Sequence, residues 1–304
     1  MHKIFVLSFK GSKRLPKIKK RLKKIKLNFK VIYGVDVKNK RAIDILKKNY
    51  NKKKTEFFLG RSLPYSEMSA PYLHLKTYKH IVKHNIKKSI IFEDDVYPSK
   101  EIINFKKINF TKLKNYIIGF MSYDGFVLKK PDFKVDNFNF HKAKTHLHHV
   151  SAYACDLNFC KTILKKTDGK ICGVSDWPIN LIKNNIYSSI VLPYPVIINE
   201  KFESYLAKDR KLSLPKYKIK KYIPQTLFLF LSFFYYLLHI PFFTGRYKSI
   251  DFFREYFVQK KIYSLYSLFS NNYLSTKKIY FNKDFYRPDL NLILKKNINK
   301  KNII

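Results

Sequence analysis

Three acidic residues in a row, Glu93, Asp94 and Asp95, follow directly on an apolar run that ends at Phe92. Side chains alternate along an extended segment, so Glu93 and Asp95 are predicted to share one face and Asp94 to lie on the other. Carboxylate oxygens at this spacing suit a hard cation such as Mg²⁺ or Mn²⁺ and, through it, a diphosphate. The motif therefore predicts a metal site. The alternative is a solvated strand end whose acids offset nearby lysines.

Adjacent carboxylates repel one another, and this raises their proton affinity unless a cation is present. A divalent cation bound to these acids would neutralise the charge that grows on a nucleoside-diphosphate leaving group. In that role the cation acts as a Lewis acid and as a template. The acidic motif thus favours group transfer from a nucleotide donor.

The chain as a whole is strongly basic, with 62 Lys and Arg against 21 Asp and Glu and a formal net charge of +41. Such a field attracts polyanions, for example an anionic membrane surface or a phosphorylated glycolipid. Nucleic-acid readers rely on Arg and on recognisable modules, and this Lys-rich sequence shows neither. We therefore expect no nucleic-acid partner. A hydrophobic content of 46% over 304 residues is enough for a real core.

The cysteines and the N-terminal residues indicate a reducing compartment. Cys155, Cys160 and Cys172 are odd in number and lack CxxC spacing, so neither a disulfide framework nor a zinc site is predicted. Residues 1–8 are apolar and precede a basic stretch, which is the reverse of the order in a signal peptide. We expect a cytoplasmic protein with reduced thiols.

Hydrophobic periodicity predicts an α/β fold that opens with a strand over 3–9, a helix over 16–25 and a strand over 29–33. This is a right-handed βαβ unit, typical of a nucleotide-binding sheet. The loop 34–36 then lies at a strand's carboxyl end, where such sheets bind ligands. A helix is predicted over 67–84, and Pro71 is tolerable there if it falls in the first turn. The other predicted helices are 156–166 and 176–183, and the other predicted strands are 116–121, 146–154 and 186–191. Residues 131–139 form a polar stretch.

The composition changes near residue 211, which divides the chain into a domain over 1–210 and a basic, aromatic-rich region over 211–304. Within that region, residues 222–245 carry no formal charge and are dominated by Leu, Phe and Tyr. This stretch is predicted to be a hydrophobic helix that lies in a membrane interface, spans a bilayer or is buried in a soluble core. Region 211–304 is accordingly predicted to associate with an anionic membrane.

The motifs resemble those of glycosyltransferase family 25, the lipooligosaccharide and lipopolysaccharide glycosyltransferases of Gram-negative bacteria, over about 200 N-terminal residues. The segment Ser69 to Leu73 departs from the family's Gly-Cys-Ala-Leu-Ser, and Lys13-Arg14 stands slightly displaced from its paired arginines. The matching elements are the opening strand 5–10, the Ala-Val-Asp-like turn 34–36, Glu67 and His74 at the spacing of the family's helix, the Glu-Asp-Asp strand 91–96, and the later elements 151–153 and 174–177.

The resemblance implies a GT-A-like sheet with helices on both faces, an inverting mechanism and a nucleotide-sugar donor, commonly UDP-galactose. Mn²⁺ or Mg²⁺ is the implied cofactor, and a lipid-linked saccharide is the implied acceptor. The implied roles are donor binding by Ser8, Lys10, Asp36, His74, Glu93 and Asp94, metal binding by Asp94 and Asp95, and catalysis by Asp176 and Glu67.

Several of these residues have simpler interpretations. Asp176 is the candidate general base, but it could equally cap the helix that follows, and Asp36 could contact the nucleoside or stabilise its turn. Lys10 and Lys13 could meet phosphate oxygens or be solvated. His74 could be an ordinary core histidine.

Three further side chains are candidates for the site. Trp177 could offer a face to a sugar ring or could belong to the core. His146 and His148 share a face of a predicted strand and could supply a metal ligand, although the carboxylates already provide such ligands.

Two functional hypotheses follow. The first is a metal-dependent glycosyltransferase at the cytoplasmic face of the inner membrane that adds a hexose to a lipid-linked saccharide. The second is a non-catalytic, basic membrane-binding or polyanion-binding protein that retains the fold. The intact acids at 93–95 favour the enzyme.

Overall fold

A computed structural model describes residues 2–37, 39–59, 62–108, 110, 113–122, 126–143, 151–175, 179, 181, 184–198 and 273–275. The strands are β1 (Lys3–Ser8), β2 (Lys30–Tyr33), β3 (Lys88–Glu93), β4 (Val96–Pro98), β5 (Tyr116–Gly119), β6 (Phe126–Leu128), β7 (Phe133–Val135), β8 (Phe138–Lys142), β9 (Ala152–Asp156), β10 (Tyr187–Leu192), β11 (Val196–Ile198) and β12 (Tyr273–Ser275). The helices are α1 (Leu15–Lys24), α2 (Lys40–Lys48), α3 (Lys52–Leu59), α4 (Tyr65–Lys83), α5 (Ile102–Lys107) and α6 (Leu157–Thr167).

Eight strands form one mixed sheet in the order β2-β1-β3-β9-β5-β10-β8-β7. The pairs β1 with β2, β1 with β3, and β5 with β10 are parallel, and the other pairs in this sheet are antiparallel. Two small sheets, β11 with β4 and β12 with β6, accompany it. The predicted α/β class is confirmed as a large central sheet flanked by helices.

The chain reverses its direction of travel across the sheet at β1. It passes from β1 through α1 to β2 on one side, and α4 then returns it to β3 on the other side of β1. Because such parallel crossovers are right-handed, these two connections place α1 and α4 on opposite faces. The carboxyl ends of β1 and β3 therefore form a topological switch point, the usual ligand crevice of an open α/β sheet.

The middle of the sheet is the core. Strands β1, β3, β5 and β9 are buried over nearly their whole length, which explains why their sequences read as continuous apolar runs. Phe105 of α5 packs on Phe120 and Phe140, with ring centroids 5.1 and 5.9 Å apart. Phe92, at the end of β3, lies 6.5 Å from Phe120. The acidic motif thus begins at the edge of a rigid aromatic cluster.

Asp156 ties together three elements. It caps α6, and its Oδ1 accepts hydrogen bonds from the amides of Phe159 at 2.8 Å and Tyr116 at 3.2 Å. Its Oδ2 accepts from the Asn115 amide at 2.9 Å. Burial raises the pKa of Asp156, and these amide donors oppose that rise. One carboxylate therefore joins β5, β9 and α6.

Most predicted elements of the first 200 residues are confirmed to within a few residues. The opening βαβ unit, the strand before the acids, α6 and β10 all form where expected. Pro71 is a correction: α4 begins at Tyr65, so the proline lies inside the helix, beyond its first turn. The polar stretch 131–139 forms part of the hairpin of β7 and β8, for which no strand was predicted. Short helices α2 and α3 had not been predicted.

The second predicted region is described only at Tyr273–Ser275, which pair antiparallel with β6. The uncharged stretch 222–245 and most of the predicted helix 176–183 lie outside the described residues. Among the helices that are described, none combines the length and the apolarity needed to cross a bilayer. The first part of the predicted strand 146–154 is likewise not described.

We expect Asp156→Ala to lower the free energy of unfolding by about 2–3 kcal/mol, because it removes a helix cap and leaves amides unsatisfied. The matched control is Asp44→Ala, since Asp44 is exposed on α2. Urea denaturation of both variants measures the difference. An equal effect in the two proteins would contradict the capping role.

Candidate functional site

The acidic motif meets the loop after β1 at the switch point. Leu7 pairs with Glu93 in the register of β1 and β3, so the residues just beyond each strand are neighbours. Ser8 Oγ and Ser12 Oγ each donate a hydrogen bond to Asp94 Oδ2, at 2.6 Å in both cases. Both hydroxyls and the Asp94 carboxylate are buried. These two serines fix Asp94 at the floor of the crevice.

Arg14 is the cation of the site. Its Nε lies 3.0 Å from Asp94 Oδ1, and its Nη1 donates to Asp95 Oδ2 at 3.1 Å. The residue immediately precedes α1, whose first turn contains Pro16. Lys10 and Lys13, the sequence candidates for this role, are not part of this ion pair. Arg14 therefore joins the loop after β1 to the turn after β3.

The predicted alternation of the acids is wrong beyond Glu93. Strand β3 ends at that residue, and Asp94 and Asp95 form a turn before β4 begins. Alternation holds only along extended backbone. As a result Asp94 and Asp95 share Arg14, while Glu93 contacts α4 through His74.

Glu93 ends a chain of buried hydrogen bonds. His74 Nε2 lies 3.0 Å from Glu93 Oε1, and His74 Nδ1 lies 2.7 Å from the Tyr153 hydroxyl. The Tyr153 and Tyr78 hydroxyls are 2.6 Å apart. Burial favours the protonated form of Glu93, but the hydrogen bond and charge of His74, the Ser151 hydroxyl and Arg14 together lower its pKa. His74 is therefore a contact of the acidic motif as well as a core residue.

The surroundings of Asp95 disfavour its ionised form. Burial, together with the charges of Glu93 and Asp94, raises its pKa to about 7 despite the opposing charge of Arg14. Its Oδ1 is buried and has no hydrogen-bond partner among the described residues. A buried carboxylate oxygen without a donor is the kind of group that a bound cation would satisfy.

Asp94 and Asp95 are the predicted metal ligands. Within the described ranges, no three His, Cys, Asp or Glu side chains are grouped so as to hold a metal ion. Asp95 Oδ1 fits the role of a ligand because it is buried and lacks a donor in the part of the chain that the structure describes. Asp94 is engaged by Ser8, Ser12 and Arg14. The residues thus fit a cation held mainly through Asp95, with substrate and water oxygens completing the shell.

The loop 34–36 borders the same crevice. The Gly34 amide donates to the Ser8 carbonyl at 2.8 Å, and Ser69 of α4 donates to the Val35 carbonyl at 3.1 Å. A Cβ at position 34 would lie 3.3 Å from Leu73 Cδ2, so the loop lies close against α4. Asp36 is exposed just past the end of β2.

Of the remaining candidates, one is buried in a helix and the others lie outside the described residues. Glu67 is buried in the first turn of α4. Asp176 and Trp177 are not described, and neither are His146 and His148. The segment 171–175 that leads to Asp176 is described, and it forms a small pocket with Pro71, His74, Leu75 and Tyr78. His74 therefore lies between the acids and the segment that precedes the candidate base.

Sequence reasoning missed four contributors. Arg14 had a signal, since Lys13-Arg14 lies near the paired arginines of the resembling family. Tyr153 also had a signal, since it lies in the family-like element 151–153. Ser12 and Tyr78 had none, because their partners are 75 or more residues away in sequence. Only the packing of α4 and β9 around β3 brings the tyrosines to His74.

The raised pKa of Asp95 predicts a pH-dependent loss of stability. The folded carboxyl holds its proton up to about pH 7, whereas an unfolded Asp releases it near its ordinary value, so rising pH destabilises the fold between these values. We expect Asp95→Asn, measured in EDTA, to reduce the fall in unfolding free energy between pH 5 and 8 by about 2 kcal/mol. Asp44→Asn is the control. Identical pH profiles for wild type and Asp95→Asn would contradict the assignment.

Comparisons with known proteins give one strong match. The model of glycosyltransferase family 25, described as an LPS biosynthesis protein, matches residues 1–174, more than half of the chain. No curated protein matches. A solved structure, the mannose-1-phosphate geranyltransferase from Thermus thermophilus, is 8% identical and covers 62% of this chain and 73% of its own, with a TM-score of 0.32. A likeness of that size supports no conclusion about fold or activity.

The family match includes every residue that meets at the switch point, from Ser8, Ser12 and Arg14 to His74, the acids at 93–95 and Tyr153. A glycosyltransferase uses a nucleotide sugar and a saccharide acceptor. The chain belongs to glycosyltransferase family 25, the glycosyltransferases of lipopolysaccharide biosynthesis.

Proposed function

We propose that this chain is a metal-dependent, inverting hexosyltransferase that takes a hexose, galactose in the first instance, from a UDP-sugar. The acceptor is a lipid-linked saccharide in lipooligosaccharide, lipopolysaccharide or related surface glycan synthesis. A GT-A-like fold is part of the proposal. The observation that carries it is the meeting of Asp94, Asp95 and Arg14 at the switch point of the sheet.

The donor's diphosphate is proposed to lie over the turn after β3. Mn²⁺ or Mg²⁺ bound there would neutralise the leaving diphosphate as a Lewis acid. Asp95 offers it a buried oxygen that has no donor among the described residues. Asp94 holds the loop after β1 in place through Ser8 and Ser12, and Arg14 shares its charge between both acids. Lys10 and Lys13 belong to this loop and supply further positive charge near the phosphates.

The nucleoside and sugar are proposed to extend from this point along the edge of the sheet. Asp36, exposed past β2, suits a contact with the nucleoside. Glu93 suits a hydroxyl of the donor, since its side chain keeps 28% of its exposure while His74 holds one oxygen. Both residues lie at carboxyl ends of parallel strands, on the same edge of the sheet.

Inversion requires a base that takes the proton of the acceptor hydroxyl. We propose Asp176 for this role, because the segment 171–175 brings the chain to the pocket beside His74. Glu67, buried in the first turn of α4, is the second candidate for a catalytic role. The region 211–304 is proposed to hold the enzyme on the anionic cytoplasmic face of the inner membrane, where its lipid-linked acceptor lies.

Hydrolysis of a panel of nucleotide sugars by the purified chain with Mn²⁺ tests the proposed donor class. We expect release of UDP from a UDP-hexose and a loss of this activity in EDTA. Turnover of no nucleotide sugar with either Mn²⁺ or Mg²⁺, by a protein with a cooperative melting transition, would contradict the enzymatic proposal. It would favour the non-catalytic alternative.

Asp95→Ala is expected to lower transfer by about a hundredfold or more, as the loss of a charge-stabilising group does. The fold should remain intact, because removal of the strained carboxylate leaves the aromatic core untouched. Asp44→Ala controls for the loss of one acid. A purified Asp95→Ala protein with full activity, or equal wild-type activity in EDTA and in Mn²⁺, would show that the acid holds no metal.

A further inference from the structure

Helix α1 buries one face in the protein and carries lysines on the other. Because side chains three, four and seven residues apart share one side of a helix, Lys17, Lys20 and Lys24 form a row along its length. Lys23 borders this row, and all four side chains are exposed. We call these four residues the α1 lysines. The buried residues of the helix are Leu15, Ile18, Arg21 and Leu22.

No acidic residue lies near the α1 lysines in sequence. Residues 1–35 contain twelve Lys and Arg and neither Asp nor Glu. By contrast, α2, α3 and α4 each contain an acidic residue. Within the part of the chain that the structure describes, Lys20, Lys23 and Lys24 make no ion pair. These three charges are therefore directed to the surroundings of the protein.

The stability of the helix does not explain the row. The helix dipole favours Lys23 and Lys24 in the last turn, but it disfavours Lys17 in the first turn. Like charges three or four residues apart also repel, as between Lys20 and its two neighbours in the row. An anionic surface opposite the row would remove this repulsion.

Helix α1 is attached firmly to the strands that hold the acidic motif. Arg14, which precedes the helix, pairs with the acids, and Arg21 Nε donates to the Pro98 carbonyl of β4 at 2.7 Å. The Arg21 guanidinium also lies 4.6 Å from the centre of the Tyr97 ring. The α1 lysines therefore keep a fixed orientation relative to the crevice, and the row begins three residues after Arg14.

The form of the row indicates the kind of partner. From Lys17 to Lys24 it extends about 10 Å along the helix. Lysine is a flexible point charge, unlike the planar fork of arginine, and so it gives little stereospecificity. A row of this kind suits diffuse attraction to a layer of phosphate headgroups better than the selective binding of one small anion.

We propose that the α1 lysines dock on the anionic lipid headgroups of a membrane and so hold the crevice beside the bilayer surface. Lipid is the partner because the family acts in the synthesis of lipopolysaccharide, a glycan that carries a lipid. This docking surface is separate from the region 211–304. The inference rests on the proposed function in one respect, the lipid-linked acceptor that the contact brings to the crevice.

Helix α6 provides a matched control on the other side of the sheet. It packs on α4, where the rings of Tyr78 and Phe159 lie 5.7 Å apart, and α4 and α1 lie on opposite faces. At the end of α6, Asp168 pairs with Lys54 at 3.0 Å. We therefore expect α6 to face away from the membrane. Its exposed lysines are Lys161, Lys165 and Lys166.

Co-sedimentation of the full chain with vesicles of phosphatidylglycerol and phosphatidylcholine at low salt tests the proposal. The test variant carries Lys20→Gln, Lys23→Gln and Lys24→Gln, and the control carries Lys161→Gln, Lys165→Gln and Lys166→Gln. Gln forms helices about as well as Lys, so both folds should persist. Each lysine near an anionic surface contributes about fivefold in affinity, so we expect the test variant to bind at least about tenfold more weakly and the control to stay within about threefold of wild type.

A second measurement reads the orientation of the bound protein and does not depend on how tightly the region 211–304 binds. The three native cysteines are buried, so a fluorescent label for exposed thiols marks an introduced cysteine. The label is placed by Lys20→Cys or by Lys161→Cys, and the vesicles carry a quencher on their headgroups. We expect strong quenching of the label at position 20 and little at position 161.

Equal losses of affinity in the two triple variants, or equal quenching at the two positions, would overturn the proposal in favour of general charge attraction. A wild-type chain that does not bind anionic vesicles would overturn it as well. So would a test variant that loses more affinity for a DNA duplex than for vesicles, which would indicate a nucleic-acid surface. Hydrolysis of a UDP-hexose without vesicles should be unchanged in both variants, and its absence from the wild-type chain would contradict the proposed donor and not the docking surface.

Discussion

The Arg14 guanidinium, held between Asp94 and Asp95, is the interaction on which the site depends. It joins the loop after β1 to the turn after β3, and without it two partly buried carboxylates would face each other uncompensated. Removal of one partner from a buried ion group typically costs about 3–5 kcal/mol, because the remaining charge is left unpaired. The crevice is therefore built by electrostatics as much as by packing.

One guanidinium does not balance three carboxylates. Glu93 is kept ionised by His74, Ser151 and Arg14, and Asp94 is surrounded by two hydroxyls and Arg14. Burial of Asp95, together with the negative charges of Glu93 and Asp94, raises its pKa to about 7. Either a proton or a cation would neutralise the Asp95 carboxylate, and a divalent ion bound with a diphosphate would do so most effectively. The raised pKa of Asp95 is thus the observation behind the proposed metal.

The sequence predicted the sheet better than the site. The buried strands β1 and β3 contain continuous apolar runs, β10 ends in one, and α6 is marked by the cap Asp156, so local pattern was sufficient for them. The turn at Asp94 and Asp95 was not predicted, because an apolar run followed by acids does not say where a strand ends. The side-chain alternation of β3 therefore does not continue through Asp94 and Asp95.

The contacts of the site depend on long-range topology, which local pattern cannot supply. Ser12 and Arg14 reach the acids because β1 and β3 are neighbours in the sheet although more than 80 residues separate the bonded side chains in sequence. The hydrogen bonds that link Glu93 to His74, Tyr153 and Tyr78 similarly require α4 and β9 to bring their side chains together at His74. Comparison with the family indicated Glu67, His74 and the acids, but it did not say which partners hold them.

Asp95 is proposed to bind a divalent cation together with the donor's diphosphate. The most direct test of this proposal is the binding of Mn²⁺, followed by electron paramagnetic resonance, to the wild-type chain and to Asp95→Asn with and without UDP. We expect UDP to tighten Mn²⁺ binding to the wild-type chain and Asp95→Asn to lose this effect. Equal Mn²⁺ binding by the two proteins in the presence of UDP would contradict it.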